Sequence, residues 1–186
     1  MLLYRVAPYL ATVRDSALSG HPEYLHRPQG NGRVDNPRLY DVWYLSLTEA
    51  GAVGEVFASH PEWNDEVFDF KKLPGARFAL HTFSIPDNCR IIDLDDAQYL
   101  ADRGLRPTQI VSLNRTVTQA WAENLFHEQA ASGPAWDGAR WWSRLHPDWP
   151  VVGLWRTKPT FVRTSTLALT HPAVVDAAQT LNRVIK

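Results

Sequence analysis

The pattern of apolar and polar positions along the chain predicts short strands and helices in alternation. Runs rich in branched and aromatic residues are typical of strands, and apolar positions at helical spacing are typical of helices. The predicted strands are 2–7, 41–47, 77–85, 89–94, 151–155 and 160–169. The predicted helices run over 48–58 with Ser46 or Thr48 as N-cap, from Asn114 through Phe126, and from a His171-Pro172 start to Lys186. No regular βαβ rhythm is present, so we expect one domain, 1–186, with an α+β fold and a mixed, mostly antiparallel sheet.

The segment 21–38 follows neither pattern. It is rich in Pro, Gly, Asn, Arg and His, which predicts a long irregular loop, and such a loop is unusual inside a domain unless it has a function. Within it, turn-forming residues such as Gly30, Gly32 and Asp35 surround Arg33. An arginine fixed on such a turn suits recognition of a phosphate or a carboxylate. The alternative is an ordinary surface arginine in a solvated loop.

Composition narrows the classes of function. The chain has 186 residues and a formal net charge of −1, which argues against a dedicated nucleic-acid-binding protein but allows a local basic pocket for a phosphorylated ligand. The single Cys89 excludes an intramolecular disulfide and a cysteine-based zinc site. The histidines are scattered without a pair at ligand spacing, so no metal site is expected. The chain has no signal-peptide pattern and no long apolar run, which predicts a cytoplasmic protein that does not associate with membranes.

Common catalytic and nucleotide-binding motifs are absent, and tryptophan is abundant. The chain has no glycine-rich phosphate loop and no Gly-x-Ser-x-Gly sequence. Of its 8 tryptophans, five fall in a single Trp-rich segment, 136–155. Such a concentration predicts either a dense aromatic core or a wall on which a flat ligand stacks.

Three further positions are candidates for chemistry. Trp43 and Tyr44 lie next to each other in the most apolar strand, so one faces the core and the other is available for stacking. Glu55 lies in an apolar stretch of a predicted helix, where a carboxylate either points to solvent or is held in a pocket. Ser143 ends an extended segment after the Asp-Gly turn at 137–138, but no neighbouring histidine marks it as a nucleophile.

Four short segments carry a resemblance when taken in order. They are Tyr4-Arg5-Val6, Gly32-Arg33-Val34-Asp35-Asn36-Pro37, Trp43-Tyr44-Leu45-Ser46 followed by Glu55, and Trp136-Asp137-Gly138-Ala139-Arg140 leading to Ser143-Arg144. In their order, and in the intervals from Arg33 to Tyr44 and from Tyr44 to Glu55, they resemble the RES domain, a family named for its Arg, Glu and Ser. Many members have an aromatic residue and then Asn after the Gly-Arg pair, where this chain has Val34 and Asp35. That departure concerns the packing of the loop more than the role of Arg33.

The resemblance implies a function and a set of partners. Proteins of this family are toxins of bacterial toxin–antitoxin pairs, have a fold similar to that of ADP-ribosyltransferase toxins, and degrade NAD⁺. By this resemblance the chain cleaves the nicotinamide–ribose bond of NAD⁺, with water or inorganic phosphate as acceptor. NAD⁺ is then a substrate, and no separate cofactor is expected. A cognate antitoxin is the implied protein partner, with the C-terminal helix and the 21–38 loop as candidate surfaces.

The resemblance also implies roles for five residues. The catalytic set is Glu55, Arg33 and Ser143, and the substrate-binding set is Arg5 and Tyr44. A carboxylate at Glu55 stabilises the positive charge that builds on the ribose as the glycosidic bond breaks. The two arginines neutralise the pyrophosphate, and Tyr44 stacks on the nicotinamide ring. Ser143 donates a hydrogen bond that orients the ligand or Glu55, and is not expected to be a nucleophile.

Two other functions stay open at this point. An ADP-ribosyltransferase would pass the same ribosyl group to a macromolecule and would use the same five residues. A non-catalytic domain would bind a partner through its Trp-rich segment. A nuclease is disfavoured, because no cluster of His, Asp and Glu suggests a metal or a general acid–base pair.

Overall fold

A computed structural model describes all residues of the chain, 1–186. The helices are α1 Glu49–Phe57, α2 Ala97–Ala101, α3 Pro107–Ile110, α4 Arg115–His127 and α5 Pro172–Thr180, with a 3-10 helix at Asp65–Phe68. The strands are β1 Leu2–Tyr9, β2 Trp43–Ser46, β3 Glu62–Trp63, β4 Arg77–Ser84, β5 Ile91–Asp93, β6 Gln129–Ala130, β7 Gly133–Pro134, β8 Gly138–Trp142, β9 Pro150–Leu154, β10 Thr160–Thr166 and β11 Val184–Ile185.

Seven strands form one sheet in the order β10-β4-β1-β2-β9-β8-β5. β1 and β4 are antiparallel over their full length, from Leu2 opposite Ser84 to Tyr9 opposite Arg77. The pairs β4–β10 and β8–β9 are also antiparallel, whereas β5 and β8 are parallel. The mixed, mostly antiparallel sheet and its helices confirm the predicted α+β class.

The predicted helix starts are confirmed because each has a side chain that caps the first turn. The hydroxyl of Thr48 accepts from the N–H of Gly51 at 3.0 Å before α1. Asn114 accepts from the N–H of Thr116 at 3.0 Å before α4, and His171 caps α5 through Nδ1. Capping satisfies backbone donors that have no partner within the helix, so these starts are determined locally.

The predicted end of the C-terminal helix is wrong. The helix stops at Thr180 rather than at Lys186. Asn182 has a φ of 52°, a left-handed conformation that ends helices, and β11 then pairs in parallel with β3. The predicted irregular loop is confirmed, since 21–38 contains no helix and none of the named strands. None of the helices combines the length and the apolar character that crossing a membrane requires.

The chain forms two compact units, each built from separate segments. The first contains Met1, 27–44 and 85–159. Its core includes the buried Trp141 and Trp155, with other members of the Trp-rich segment packed against it. The Trp-rich segment therefore contributes to an aromatic core, which is one of the two alternatives that the sequence left open.

The second unit contains 2–26, 45–84 and 160–186. Its core centres on Phe57, whose ring makes edge contacts with Trp63 at 6.0 Å and Phe68 at 5.4 Å between centroids. Helix α1 packs against α5 and β1. The buried face of α1 consists mostly of small residues, so α5 and β1 can pack close to the helix.

Candidate active site

Arg33 lies on a loop that is organised by one buried carboxylate. Asp35 is only 4% exposed, and its Oδ2 accepts from the N–H groups of Gly30 and Gly32, both at 2.7 Å. A buried carboxylate is tolerated only when it is hydrogen-bonded, and these two bonds fold the loop around Asp35. The backbone that carries Arg33 is thereby fixed on its N-terminal side.

Tyr44 completes the hydrogen bonding of Asp35. Its hydroxyl donates to Oδ1 of Asp35 at 2.6 Å and accepts from the N–H of Val34 at 2.9 Å. Burial and the bond to Asp35 raise the pKa of Tyr44 well above its ordinary value, so the phenol keeps its proton. The ring is half-buried and packs edge-on against Trp141 at 6.4 Å. Its neighbour Trp43 is buried, so Trp43 is the member of the pair that faces the core.

The guanidinium of Arg33 is held by two backbone carbonyls. Its Nη1 donates to the carbonyl of Ile110 at 2.6 Å and to that of Ser112 at 2.8 Å. Ile110 ends α3, where helical carbonyls have no partner within the helix. These two carbonyls orient the guanidinium of Arg33.

Arg5 lies on β1 in the second unit and is held in a similar way. Its Nη1 donates to the carbonyl of Tyr24 at 2.9 Å, within the 21–38 loop. Burial lowers the pKa of Arg5 to about 10, which still leaves it charged at neutral pH. It lies opposite His81 of β4 in the strand register.

Glu55 occupies the last turn of α1. The residue is exposed, whereas Gly54 before it and Phe57 after it are buried. Of the two alternatives for this carboxylate, the structure therefore favours the orientation toward solvent.

Ser143 directly follows β8, as the extended segment predicts. It is 3% exposed, and its N–H donates to the carbonyl of Trp149 at 3.0 Å. Its hydroxyl accepts from the N–H of Leu145, also at 3.0 Å. The backbone turn that follows β8 thus fixes the direction of this hydroxyl.

The structure brings some of the predicted site residues together and leaves others in separate units. Arg33 and Tyr44 meet around Asp35 in the first unit, which also contains Ser143. Arg5 and Glu55 belong to the second unit, on β1 and on the helix that packs against it. The catalytic and binding roles of all five stay predictions.

Sequence reasoning missed the part that Asp35 plays in this site. Asp35 entered the sequence analysis as a turn former and as a departure from the family pattern, not as a residue that organises the loop. The available signal was the general tendency of aspartate side chains to accept hydrogen bonds from nearby backbone N–H groups in turns. As for metals, the structure has no group of three or more His, Cys, Asp or Glu that could hold an ion.

The comparisons with known proteins agree with this fold. The chain is similar to a chain in the crystal structure of the M. tuberculosis MbcT–MbcA toxin–antitoxin complex, with 20% identity and a TM-score of 0.54. The match covers 90% of this chain and 84% of that chain. A search of curated protein sequences found no match. The model of the RES domain, whose fold is ADP-ribosyltransferase-like, matches residues 2–176. This match spans nearly the whole chain, which therefore belongs to the RES domain family.

Proposed function

We propose that this protein is a toxin that degrades NAD⁺ by cleaving its nicotinamide–ribose bond. The observation that carries the proposal is the RES domain match over 2–176, a span that contains all five predicted site residues. The similarity in fold to a chain of a toxin–antitoxin complex supports the same class of protein. The acceptor is water or inorganic phosphate.

The reaction requires a negative charge beside the ribose. As the C–N glycosidic bond breaks, nicotinamide leaves as a neutral molecule with the bonding electron pair, and positive charge develops on the ribose. The exposed carboxylate of Glu55 supplies the opposing charge. The oxygen of water then bonds to the anomeric carbon and its proton passes to solvent, which gives ADP-ribose. Phosphate as acceptor gives the phosphorylated product instead.

Two arginines supply positive charge for the pyrophosphate. Arg5 and Arg33 each donate through Nη1 to backbone carbonyls, which fixes the direction of their guanidinium groups. A guanidinium that is already oriented loses less conformational entropy when it binds an anion. This arrangement favours an anionic ligand over a neutral one.

The remaining two residues orient the reacting end of the substrate. The ring of Tyr44 is held at its polar end by Asp35, and an aromatic ring held in this way provides a rigid surface for nicotinamide. The hydroxyl of Ser143 accepts from Leu145, and a hydroxyl that accepts one hydrogen bond can also donate one. Ser143 therefore suits an orienting role.

An antitoxin is the proposed protein partner. The support is the similarity in fold to a chain that was crystallised in a toxin–antitoxin complex. The C-terminal helix α5 and the 21–38 loop are the candidate surfaces. If a chain that ends before α5 is folded and still forms the complex, the helix is not the surface.

The decisive experiment is incubation of the purified protein with NAD⁺, with and without inorganic phosphate, followed by chromatography of the products. Glu55→Gln tests the carboxylate, and Glu49→Gln is the matched control on the same helix. We expect release of nicotinamide by the wild type and by Glu49→Gln, with at least ~100-fold slower release by Glu55→Gln. If adding inorganic phosphate changes the product from ADP-ribose to phosphorylated ADP-ribose, phosphate is the acceptor.

Two outcomes would contradict the proposal. Folded wild-type protein that consumes no NAD⁺ in the absence of any bound inhibitor would exclude NAD⁺ degradation. Label from NAD⁺ found on a protein or nucleic acid, with little free ADP-ribose, would support transfer to a macromolecule instead. Circular dichroism of each variant ensures that lost activity does not reflect unfolding.

A further inference from the structure

The two glycines that precede Arg33 are held from both sides of the backbone. Oδ2 of Asp35 accepts from the N–H groups of Gly30 and Gly32, both at 2.7 Å. Nε2 of Gln119 donates to the carbonyls of the same two glycines, at 3.0 and 3.1 Å. Asp35 therefore accepts from both N–H groups and Gln119 donates to both carbonyls, so the backbone donor and the backbone acceptor of each glycine both have a partner.

The intervening residue and the loop's far end are tied to the same helix. Nε of Arg115 in α4 donates to the carbonyl of Asn31 at 2.9 Å. Nδ2 of Asn36 donates to the carbonyl of Gln119 at 3.1 Å. Consecutive peptide groups of the loop thus rest on the first two turns of α4, a rigid element of the same unit.

The direction of the Arg33 guanidinium depends on the backbone of this loop. Arg33 directly follows Gly32, and its guanidinium reaches the carbonyls of Ile110 and Ser112. A glycine backbone has more conformational freedom than any other, so without external bonds this segment would sample many directions for Arg33. Bonds to both faces of Gly30 and Gly32 remove that freedom before a ligand arrives.

We propose that Asp35 and Gln119 are positioning residues that hold Gly30–Gly32 so that Arg33 meets the pyrophosphate of the substrate in one orientation. The identity of the ligand rests on the proposed function, whereas the positioning is a property of the chain itself. Neither residue is expected to touch the reacting atoms. Their effect reaches Arg33 through the backbone.

The first test measures the loop without any substrate. Hydrogen–deuterium exchange is followed in the peptide that covers 28–37, together with the rate at which phenylglyoxal modifies Arg33. Gln119→Glu preserves the size of the side chain but removes both of its donors. Asp35→Ala removes the acceptor, and Gln119→Glu keeps the test valid if Asp35→Ala fails to fold. Asp96→Ala is the matched control, because Asp96 is an exposed aspartate that also accepts from two backbone N–H groups, those of Gln98 and Tyr99.

We expect Gln119→Glu to speed both exchange in 28–37 and modification of Arg33 by about fivefold or more, the factor that corresponds to one lost hydrogen bond. Asp96→Ala is expected to change neither. Unchanged exchange and modification in folded Gln119→Glu would overturn the proposal, whatever the protein does to NAD⁺.

The second test uses NAD⁺ kinetics and a double-mutant cycle. Gln119→Glu is expected to raise KM for NAD⁺ about tenfold with kcat within about twofold, because it weakens binding rather than chemistry. In an Arg33→Ala background the same substitution is expected to have no further effect on KM. Additive effects of the two substitutions would overturn the proposal, since a purely structural Gln119 would act independently of Arg33.

The two tests separate failure of this proposal from failure of the proposed function. If the loop is loosened in Gln119→Glu while the wild-type protein consumes no NAD⁺, the positioning role is supported and the NAD⁺-degrading activity is excluded. Consumption of NAD⁺ with an unchanged loop would support the activity and overturn the positioning role.

Discussion

The hydroxyl of Tyr44 donates to Oδ1 of the buried Asp35 over 2.6 Å and accepts from the N–H of Val34. One oxygen atom of β2 therefore links the strand to the loop that carries Arg33. The bond also gives the buried Asp35 a third hydrogen-bond donor besides the N–H groups of Gly30 and Gly32, so that both of its oxygens have partners. Tyr44 thus has a structural task at its polar end, separate from the stacking proposed for its ring.

Tyr44→Phe is expected to lower the free energy of unfolding by ~1–3 kcal/mol. The substitution keeps the ring but leaves Oδ1 of Asp35 and the N–H of Val34 without this partner, and a buried polar group that loses its partner is costly. Urea denaturation measures the change. Tyr99→Phe is the control, because Tyr99 is 37% exposed, and an equal loss in both variants would contradict the assignment.

Gly32→Ala is expected to be more disruptive than an ordinary loop substitution. A Cβ at this position would overlap Oδ1 of Asp35 and the hydroxyl of Tyr44. Both atoms are held in place, so either the bond between them breaks or the loop backbone moves. Gly30→Ala is the matched control, since a Cβ there meets no atom within 4 Å.

We expect Gly32→Ala to lower the free energy of unfolding by ~1–3 kcal/mol and Gly30→Ala to lower it much less, as measured by urea denaturation. Equal stability of Gly32→Ala and wild type would show that the close approach of Asp35 and Tyr44 to this backbone is absent in solution.

His81 is expected to make stability depend on pH. It is fully buried on β4, its Nδ1 lies 2.9 Å from the hydroxyl of Thr164, and burial followed by repulsion from Arg5 lowers its pKa to about 4. The nearby His21 lowers it further. Because the unfolded chain takes up a proton near pH 6.5 and the folded chain only near pH 4, acid favours unfolding between these values.

Stability is therefore expected to fall as the pH drops from about 6.5 to about 4, with a slope of at most ~1.4 kcal/mol per pH unit from this residue. His81→Phe should remove that part of the slope, measured by urea denaturation at several pH values. The exposed His60 provides the control, and His60→Gln should leave the slope in place. The same slope in His81→Phe and wild type would contradict the assignment.

Trp136 is expected to contribute to stability rather than to ligand binding. Its Nε1 donates to Oε2 of Glu128 at 2.7 Å, and Arg103 donates to both oxygens of the same carboxylate, also at 2.7 Å. Trp136→Phe keeps an aromatic ring but removes the hydrogen bond to Glu128. We therefore expect the free energy of unfolding, measured by urea denaturation, to fall by ~1 kcal/mol. Glu128→Ala removes all three bonds and should cost more.

The activity of the same variants separates the two roles of Trp136. We expect Trp136→Phe to keep the KM for NAD⁺ of the wild type. A large rise in KM in a variant of unchanged stability would instead indicate that Trp136 contacts the ligand.

Much of the local structure could be predicted from the sequence because its causes lie within a few residues. Runs rich in branched and aromatic residues predict β1, β4 and β10. The caps Thr48 and Asn114 start their helices with bonds to residues two or three positions away. The irregular loop around Arg33 follows from its Gly, Pro and Asn content. These signals also supported the fold class, whereas the resemblance to the family rested on the order and spacing of four short segments.

The sequence by itself thus determined the starts of α1, α4 and α5, the main strands of the sheet, the fold class and the position of Arg33 on a turn-rich loop. It did not predict α2, α3 or the short strands β3, β6, β7 and β11. Only the tertiary structure decided that Asp35 and Gln119 hold that loop, and that the C-terminal helix ends at Thr180 so that β11 can pair with β3. Caps and periodicity depend on near neighbours, whereas Gln119 lies far along the chain from the glycines that it binds, and β3 lies far from β11. Their bonds form only once the path of the whole backbone is fixed, and no local pattern encodes that path.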